Sequence, residues 1–353
     1  MKKKILIIAP FFAPQSHSGM FRVHKLTKYL PKFGWEPIVI TTDTNYLFND
    51  DKKLLDDLTE AKIYPTRYIE PSMRGLRMAL GGADRRFVAL KKMSGNGVSI
   101  GGPQKKMGFG DCGYRFLQEQ WLNTPDTYWT WKHGALKLAE KLINEESIKL
   151  VFTTSMPYTV NEMGMHLKNK LGIKWVADFR DPSSYSTKFH SPVDSVFLKQ
   201  RAIDRAAWTL SDARSVTSSS YISILNDIYC RKTKMDAAFI PTGVDEELIP
   251  DRVGLKSEER KIVFVGEFTP EYSDDFFKIF ANMINSKKIK NAAIKIEIIG
   301  QIGLNTSRIL PLAQSLQIEK YVEFIDHIPQ KEVYKRIADS FATLLIPGPK
   351  SYW

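Results

Sequence analysis

The sequence predicts an α/β protein made of two doubly wound domains with parallel sheets. Three observations carry this reading. Short apolar runs alternate with amphipathic helical segments along almost all of the 353 residues. Residues 5–41 alone spell out a complete strand–loop–helix–strand unit. The alternation then starts afresh after a polar stretch at residues 252–261, as expected of a second domain in a chain of this length.

The first unit opens with the apolar strand at residues 5–8. A loop rich in chain breakers follows at residues 10–19 and ends in Ser18-Gly19. Phe21, Leu26 and Leu30 then recur at helical spacing, with Val23 and Tyr29 beside them. Pro31 and Gly34 stop that helix, and Ile38-Val39-Ile40 forms the next strand. In such a unit the loop after the first strand lies at the carboxyl edge of the sheet. Open α/β sheets bind ligands there, and the following helix N-terminus favours anions. Gly19 allows close approach of the backbone to a ligand. No GxGxxG occurs, so a generic dinucleotide fingerprint is not supported.

Further strands are expected at residues 150–153, 175–178, 215–217 and 238–240, with helices at 131–144, 159–171 and 197–210. Residues 252–261 read as a linker. Beyond it, strands at 261–265, 294–299, 322–325 and 342–346 alternate with helices at 274–285, 306–316 and 330–338. The expected domains are therefore 1–250 and 251–353. A basic insertion interrupts the first around residues 61–113, where the glycine-rich stretch 94–113 reads as a mobile loop. Four strands make a thin final domain whose last strand would be an exposed edge, so the second domain reads as incomplete.

Composition bounds the function. Hydrophobic residues make up 43% and charged residues 25%, as in soluble globular proteins. No apolar run is long enough to span a bilayer. The Met-Lys-Lys-Lys opening is followed by a proline-broken strand rather than a signal-peptide core, which points to the cytoplasm. Cys112 and Cys230 lack metal spacing, and a cytosolic chain keeps them reduced. The six histidines show no ligand pairing, so no metal is expected.

The formal charge is +12, and residues 61–107 hold ten basic residues against Glu70 and Asp84, so +8 of it lies there. Met73, Leu76, Leu80, Ala83, Phe87 and Leu90 form an apolar stripe flanked by Arg74, Arg77, Arg85, Arg86, Lys91 and Lys92. That is the pattern of an interfacial membrane helix facing anionic lipid. A helix packed on its own domain fits the stripe as well, and Gly75, Gly81 and Gly82 weaken either. No RNA- or DNA-binding module is present, so nucleic acid is not an expected partner.

Several local sequences sharpen the picture. Residues 5–41 resemble the opening of the retaining family 4 glycosyltransferases of the GT-B architecture, which has two Rossmann-like domains. Residues 153–158 (Thr-Thr-Ser-Met-Pro-Tyr) and 170–182, ending in Asp178-Phe179-Arg180-Asp181-Pro182, are similar to a bacterial subgroup active in cell-surface polysaccharide synthesis. Residues 239–245 (Phe-Ile-Pro-Thr-Gly-Val-Asp) resemble that family's "PNGVD" at the domain junction. Residues 263–266 (Val-Phe-Val-Gly) match the first strand of its nucleotide-sugar domain. The resemblance implies an enzyme that moves a sugar from a nucleotide-diphosphate donor to a lipid-linked or saccharide acceptor, with retention, at the cytoplasmic membrane face. It implies no cofactor or metal. It places the first domain on the acceptor side and the second on the donor side.

Two features depart from the pattern. Gly266 is followed by Glu267 and no basic residue until Lys278, whereas the family places one close by to hold the donor diphosphate. The paired-glutamate segment expected beyond residue 346 is not reached before Trp353, which reads as C-terminal truncation. A nucleotide-sugar epimerase on the same fold and a catalytically inactive binding protein are the alternatives.

The candidate catalytic residues are Asp178, Arg180 and Asp181, which gather charge at a strand's carboxyl end. An internal Asp–Arg–Asp network accounts for them equally well. His17, Ser18, Gly19, Arg22, Ser155 and Tyr158 are candidates for substrate contact, because guanidinium and hydroxyl groups at strand ends bind phosphates and sugar hydroxyls. Gly243, Gly266, Glu267, Asp326, His327 and Ile328 are the candidate donor-binding residues that the resemblance implies.

Overall fold

Parallel pairing organises both halves of the chain. The computed structural model describes residues 2–16, 18–43, 51–82, 122–181, 183, 193–230, 232–250, 260–268, 272–286 and 294–346. These divide into two units at 243/244, seven residues before the boundary expected at 250/251.

The first unit carries a seven-stranded sheet of order β3-β2-β1-β4-β5-β6-β7. The strands are β1 (Lys3–Ile8), β2 (Trp35–Thr42), β3 (Lys62–Thr66), β4 (Leu150–Ser155), β5 (Lys174–Phe179), β6 (Ala213–Val216) and β7 (Ala238–Phe239), all paired in parallel. Its helices are α1 (Phe21–Tyr29), α2 (Met73–Ala79), α3 (Trp129–Glu145), α4 (Thr159–Leu171), α5 (Asp194–Leu210) and α6 (Ser220–Tyr229). Strand β1 is apolar from Ile5 to Ile8 because both its faces are covered there. Leu6 and Ile8 pack with Trp131, Ala135 and Val160 on one side. Ile5 and Ile7 pack with Phe12, Met20 and Val23 on the other. After α1 the chain tightens into a 3₁₀ turn and stops at Gly34, whose φ of +80° suits only glycine well.

Unit 2 has a four-stranded parallel sheet of order β10-β9-β8-β11. Its strands are β8 (Arg260–Val265), β9 (Ile294–Ile299), β10 (Val322–Ile325) and β11 (Ala342–Thr343), and its helices are α7 (Asp275–Asn285), α8 (Ile302–Ser315) and α9 (Gln330–Ala338). Ile296 and Ile298 of β9 pack with Phe277 and Phe280 of α7 and with Ile309 and Ala313 of α8. On the alternate position of β9, buried Glu297 pairs with Lys261 and with Arg336 of α9.

Several expectations need correction. Residues 62–66 are not the start of an insertion but the edge strand β3, whose Pro65 is tolerated there because among the described residues no partner lies beyond it. Helix α6 was not expected, although it buries Tyr221, Leu225 and Tyr229. Helix α8 begins four residues before the expected 306, and β11 spans two residues of the expected 342–346. The stripe opening at Met73 is helical only to Ala79, and Gly81 at φ +80° breaks the helix direction. Ala83, Phe87 and Leu90 of the stripe, and the 94–113 loop, lie outside the described residues. Among the described residues no helix is long and apolar enough to cross a membrane.

Candidate functional site

In unit 1 the strand order reverses between β1 and β4, and the loops after these strands leave the sheet at this switch point. The β1 loop is pinned from inside. Thr42 Oγ1 donates to the Pro10 carbonyl at 2.9 Å, and Gln15 Nε2 donates to Thr42 Oγ1 at 3.2 Å. The loop then reaches exposed Ser18, buried Gly19 and the start of α1; His17 lies outside the described residues.

In the first turn of α1, Arg22 forms a bidentate pair with Asp178 of β5. Nε lies 2.9 Å from Oδ2 and Nη2 lies 2.7 Å from Oδ1. Thr154 Oγ1 of β4 and Ser215 Oγ of β6 donate to the same carboxylate at 2.8 and 2.6 Å. Arg22 Nη1 donates to the Ile240 carbonyl at 2.7 Å. The side chains of Arg22 and Asp178 are 3% and 0% exposed. Charges so deeply placed need full pairing, and here every oxygen of the carboxylate has protein donors. The sequence suggested Asp178 as a catalytic group and Arg22 as a substrate contact. Both are buried and fully paired, and together they tie β4, β5, β6, α1 and the segment after β7 to one another.

Arg180 and Asp181, just beyond β5, reach the surface. Arg180 Nη1 donates to the Gly19 carbonyl at 2.6 Å, and its Nε lies 3.1 Å from Asp181 Oδ2. Its own carbonyl accepts from Thr217 Oγ1 at 2.6 Å. Thus Gly19, Arg180 and Asp181 come together at one sheet edge. Nearby Tyr221 is neutral at all ordinary pH, because burial, with Asp181 in support, pushes its phenol up to about 12.

Ser155 and Tyr158 are also brought to this edge, but both are buried. Ser155 Oγ donates to the Asp178 carbonyl at 3.4 Å. The N-terminus of α4 is already filled by the chain's own anion. Asp126 accepts from Thr159 N at 2.8 Å, Thr159 Oγ1 at 2.7 Å and Tyr128 N at 2.9 Å. Burial raises the Asp126 pKa, and these three donors oppose the rise. Gly243 is exposed, and its carbonyl accepts from Lys25 Nζ at 2.5 Å.

In unit 2 the carboxyl edge is built on two glycines. Gly266 after β8 has φ +137°, and Gly300 after β9 has φ +157°. A Cβ on Gly300 would sit 2.3 Å from the Gly266 carbonyl oxygen, so the two loops touch backbone to backbone. Fully buried Asn305 of α8 fixes them: Nδ2 donates to the Gly266 carbonyl at 2.9 Å, and Oδ1 accepts from Phe268 N at 2.7 Å. Asp326 Oδ1 accepts from Ile302 N at 3.3 Å and from His327 N at 2.9 Å, so this carboxylate caps α8. Glu267 and His327 are exposed at the same edge, and Ile328 is half-buried.

Thr154, Ser215, Gly300, Asn305 and Asp126 were not singled out from sequence. A signal existed for three of them. Thr154 and Ser215 interrupt strands that are buried on both faces, and Asn305 shares a helical stripe with Ile309 and Ala313, which marks buried groups that must be partnered. Among the described residues no group of three His, Cys, Asp or Glu side chains is placed to hold a metal ion.

The two parallel sheets, each with helices and a loop edge of this kind, define the fold of the GT-B glycosyltransferase structures. Sucrose-phosphate synthase from Thermosynechococcus elongatus is similar over 97% of this chain and 75% of that one, with a TM-score of 0.57 and 13% identity. WaaG, a glycosyltransferase involved in lipopolysaccharide biosynthesis, is similar over 98% and 75%, with a TM-score of 0.55 and 11% identity. Anabaena HepE in complex with UDP-glucose is similar over 96% and 72%, with a TM-score of 0.54 and 10% identity. At these identities the likeness is one of fold. No family model matches the sequence, and no curated sequence matches it.

Proposed function

We propose that this chain is a retaining glycosyltransferase. It takes a nucleotide-diphosphate sugar on unit 2 and transfers the sugar to a saccharide or lipid-linked acceptor in surface polysaccharide synthesis. One observation carries the reading: the fold is shared over nearly the whole chain with structures such as HepE, which was crystallised with UDP-glucose. The motifs at residues 153–158, 178–182 and 239–245 support the polysaccharide assignment, as does the likeness in fold to WaaG.

In this reading the backbone loops at Gly266 and Asp326-His327-Ile328 receive the nucleotide, because they sit at the carboxyl edge of unit 2. Arg180, Asp181 and the Ser18-Gly19 loop, at the carboxyl edge of unit 1, receive the acceptor, while Arg22 and Asp178 hold them in place. Glu267 is exposed at the donor edge. Transfer of this kind rests on positioning and on electrostatic relief of the leaving diphosphate. Met73 and Leu80, 68% and 80% exposed beside Arg74 and Arg77, would rest on an anionic membrane surface. The enzyme would then work at the cytoplasmic face of that membrane.

The test is to incubate the chain with a panel of nucleotide sugars and saccharide or polyprenyl-phosphate-linked acceptors, following nucleoside diphosphate release. NMR of the product then gives its anomeric configuration. Acceptor-dependent release with retention is expected. Release of an epimerised free sugar without acceptor would replace transfer by epimerisation, and no binding of any nucleoside diphosphate would remove the reading altogether.

A further inference from the structure

On the outer side of unit 1, α5 and α6 leave a cleft of about 340 Å³ between them. Leu198, Arg201, Ala202 and Arg205 of α5 line it from one side, and Ile228 and Tyr229 of α6 from the other. That volume is in the range of small-ligand pockets, at its lower end. Two properties of this lining define the ligand it suits.

The first is its charge. Arg201 and Arg205 are one helical turn apart on one face of α5, where like charges repel. Among the described residues neither guanidinium has an ion pair or a hydrogen bond. Several other cations on the outside of unit 1 are neutralised. Lys132 pairs with Glu162, Lys170 and His166 with Glu140, and Lys168 and Lys174 with Asp212. Two adjacent, uncompensated guanidiniums are the arrangement that phosphate recognition uses, since each offers a planar fork of donors.

The second is its apolar wall. Leu198 is 62% exposed and stands one turn before Ala202 along the same stripe, with Ile228 opposite. A bare phosphate has no use for that wall, whereas an acyl chain does.

We propose that the α5–α6 cleft binds an anionic amphiphile: a phosphate monoester head between Arg201 and Arg205 and an apolar chain along Leu198 and Ala202. The site is separate from the sheet edge described above and does not rest on the activity proposed there. The experiment is titration calorimetry of the full chain with three probes, each below its micellar concentration: dihexanoyl phosphatidic acid, dihexanoyl phosphatidylcholine and inorganic phosphate. Phosphatidic acid should bind, with inorganic phosphate at least about tenfold weaker and phosphatidylcholine weaker still. The double variant R201S/R205S should weaken phosphatidic acid about tenfold or more, through loss of charge-assisted hydrogen bonds. L198S should weaken it while leaving phosphate unchanged. All three positions are exposed, and an unchanged circular dichroism spectrum and melting curve confirm that the variants fold. Equal affinity for phosphate and phosphatidic acid would overturn the amphiphile. Undiminished binding by R201S/R205S would overturn the site.

Discussion

Removing Arg22 gives the sharpest test of how unit 1 is held together. In R22M the aliphatic volume stays, but the Asp178 carboxylate loses both guanidinium bonds, at 2.9 and 2.7 Å, and keeps only Thr154 and Ser215 as side-chain donors. At 0% exposure no water replaces them. Breaking a buried ion pair by deleting one partner costs about 3–5 kcal/mol, because the other charge is left uncompensated. For a unit of this size each kcal/mol moves the melting temperature by roughly 2–4 °C, so a fall of about 10 °C is expected. Tryptophan fluorescence during urea unfolding reads the effect, since Trp131, Trp175 and Trp208 are all fully buried in unit 1. The second arm is D178N in the same background. A neutral amide needs no counter-ion, so R22M/D178N should recover at least about 1 kcal/mol of what R22M loses. A loss under about 1 kcal/mol in R22M, or strict additivity in the double variant, would refute the view that this pair braces the sheet edge.

Two further outcomes follow from the same geometry. G300A should lose about 2 kcal/mol or more in unit 2, from a left-handed φ and a Cβ placed 2.3 Å from the Gly266 carbonyl oxygen, while G303A in α8, with open space around it, should be neutral or slightly stabilising. Paired thermal melts of the two variants check this, and equal melting temperatures would contradict it. Asp212 is held down to about 2: burial alone would raise it, but Lys168, the Trp175 N–H and Lys174 outweigh that. A carboxylate depressed in the folded state stabilises above its ordinary value, near pH 4, and loses that contribution as pH falls toward 2; the full contribution is about 2 kcal/mol. Urea midpoints from pH 6 down to pH 2 should therefore fall less steeply for D212N, and identical slopes would count against the assignment.

The fold was legible in the sequence where one physical rule dominated. Strand β1 and helix α1 follow from an apolar run and a helical period, with Gly34 as a stop that only a left-handed residue satisfies comfortably. Helix α4, Thr159–Leu171, and helix α9, Gln330–Ala338, match their expected limits. Strand β3 was hidden because Lys62, Tyr64 and Pro65 at a sheet edge need neither continuous apolarity nor a full set of backbone donors. Residues 73–82 misled in the opposite way. Periodicity ran on across Gly81, yet a positive φ there turns the chain, and local backbone preference overrode the pattern of side chains.

The candidate site was legible in the placing of its strand ends but not in which of their charges are buried. Strand ends and the glycines after them can be read from sequence, because a parallel sheet always sends those loops to one edge. Which charge faces outward cannot be read so, because it depends on partners far away in the chain. Asp178 and Asp181 stand three residues apart, and nothing local distinguishes them. Asp178 is buried because Arg22, 156 positions away, reaches it together with Thr154 and Ser215 from two other strands. Asp181 stays accessible because its partner Arg180 is itself turned toward the Gly19 carbonyl. The same reasoning applies at α8, where Asp326 is engaged in capping the helix and Asn305 in joining two loops, so that the backbone rather than any charged side chain shapes that edge. An edge shaped by main-chain groups tolerates wide side-chain variation. That is one physical reason why the fold is shared with structures only 10–13% identical to this chain.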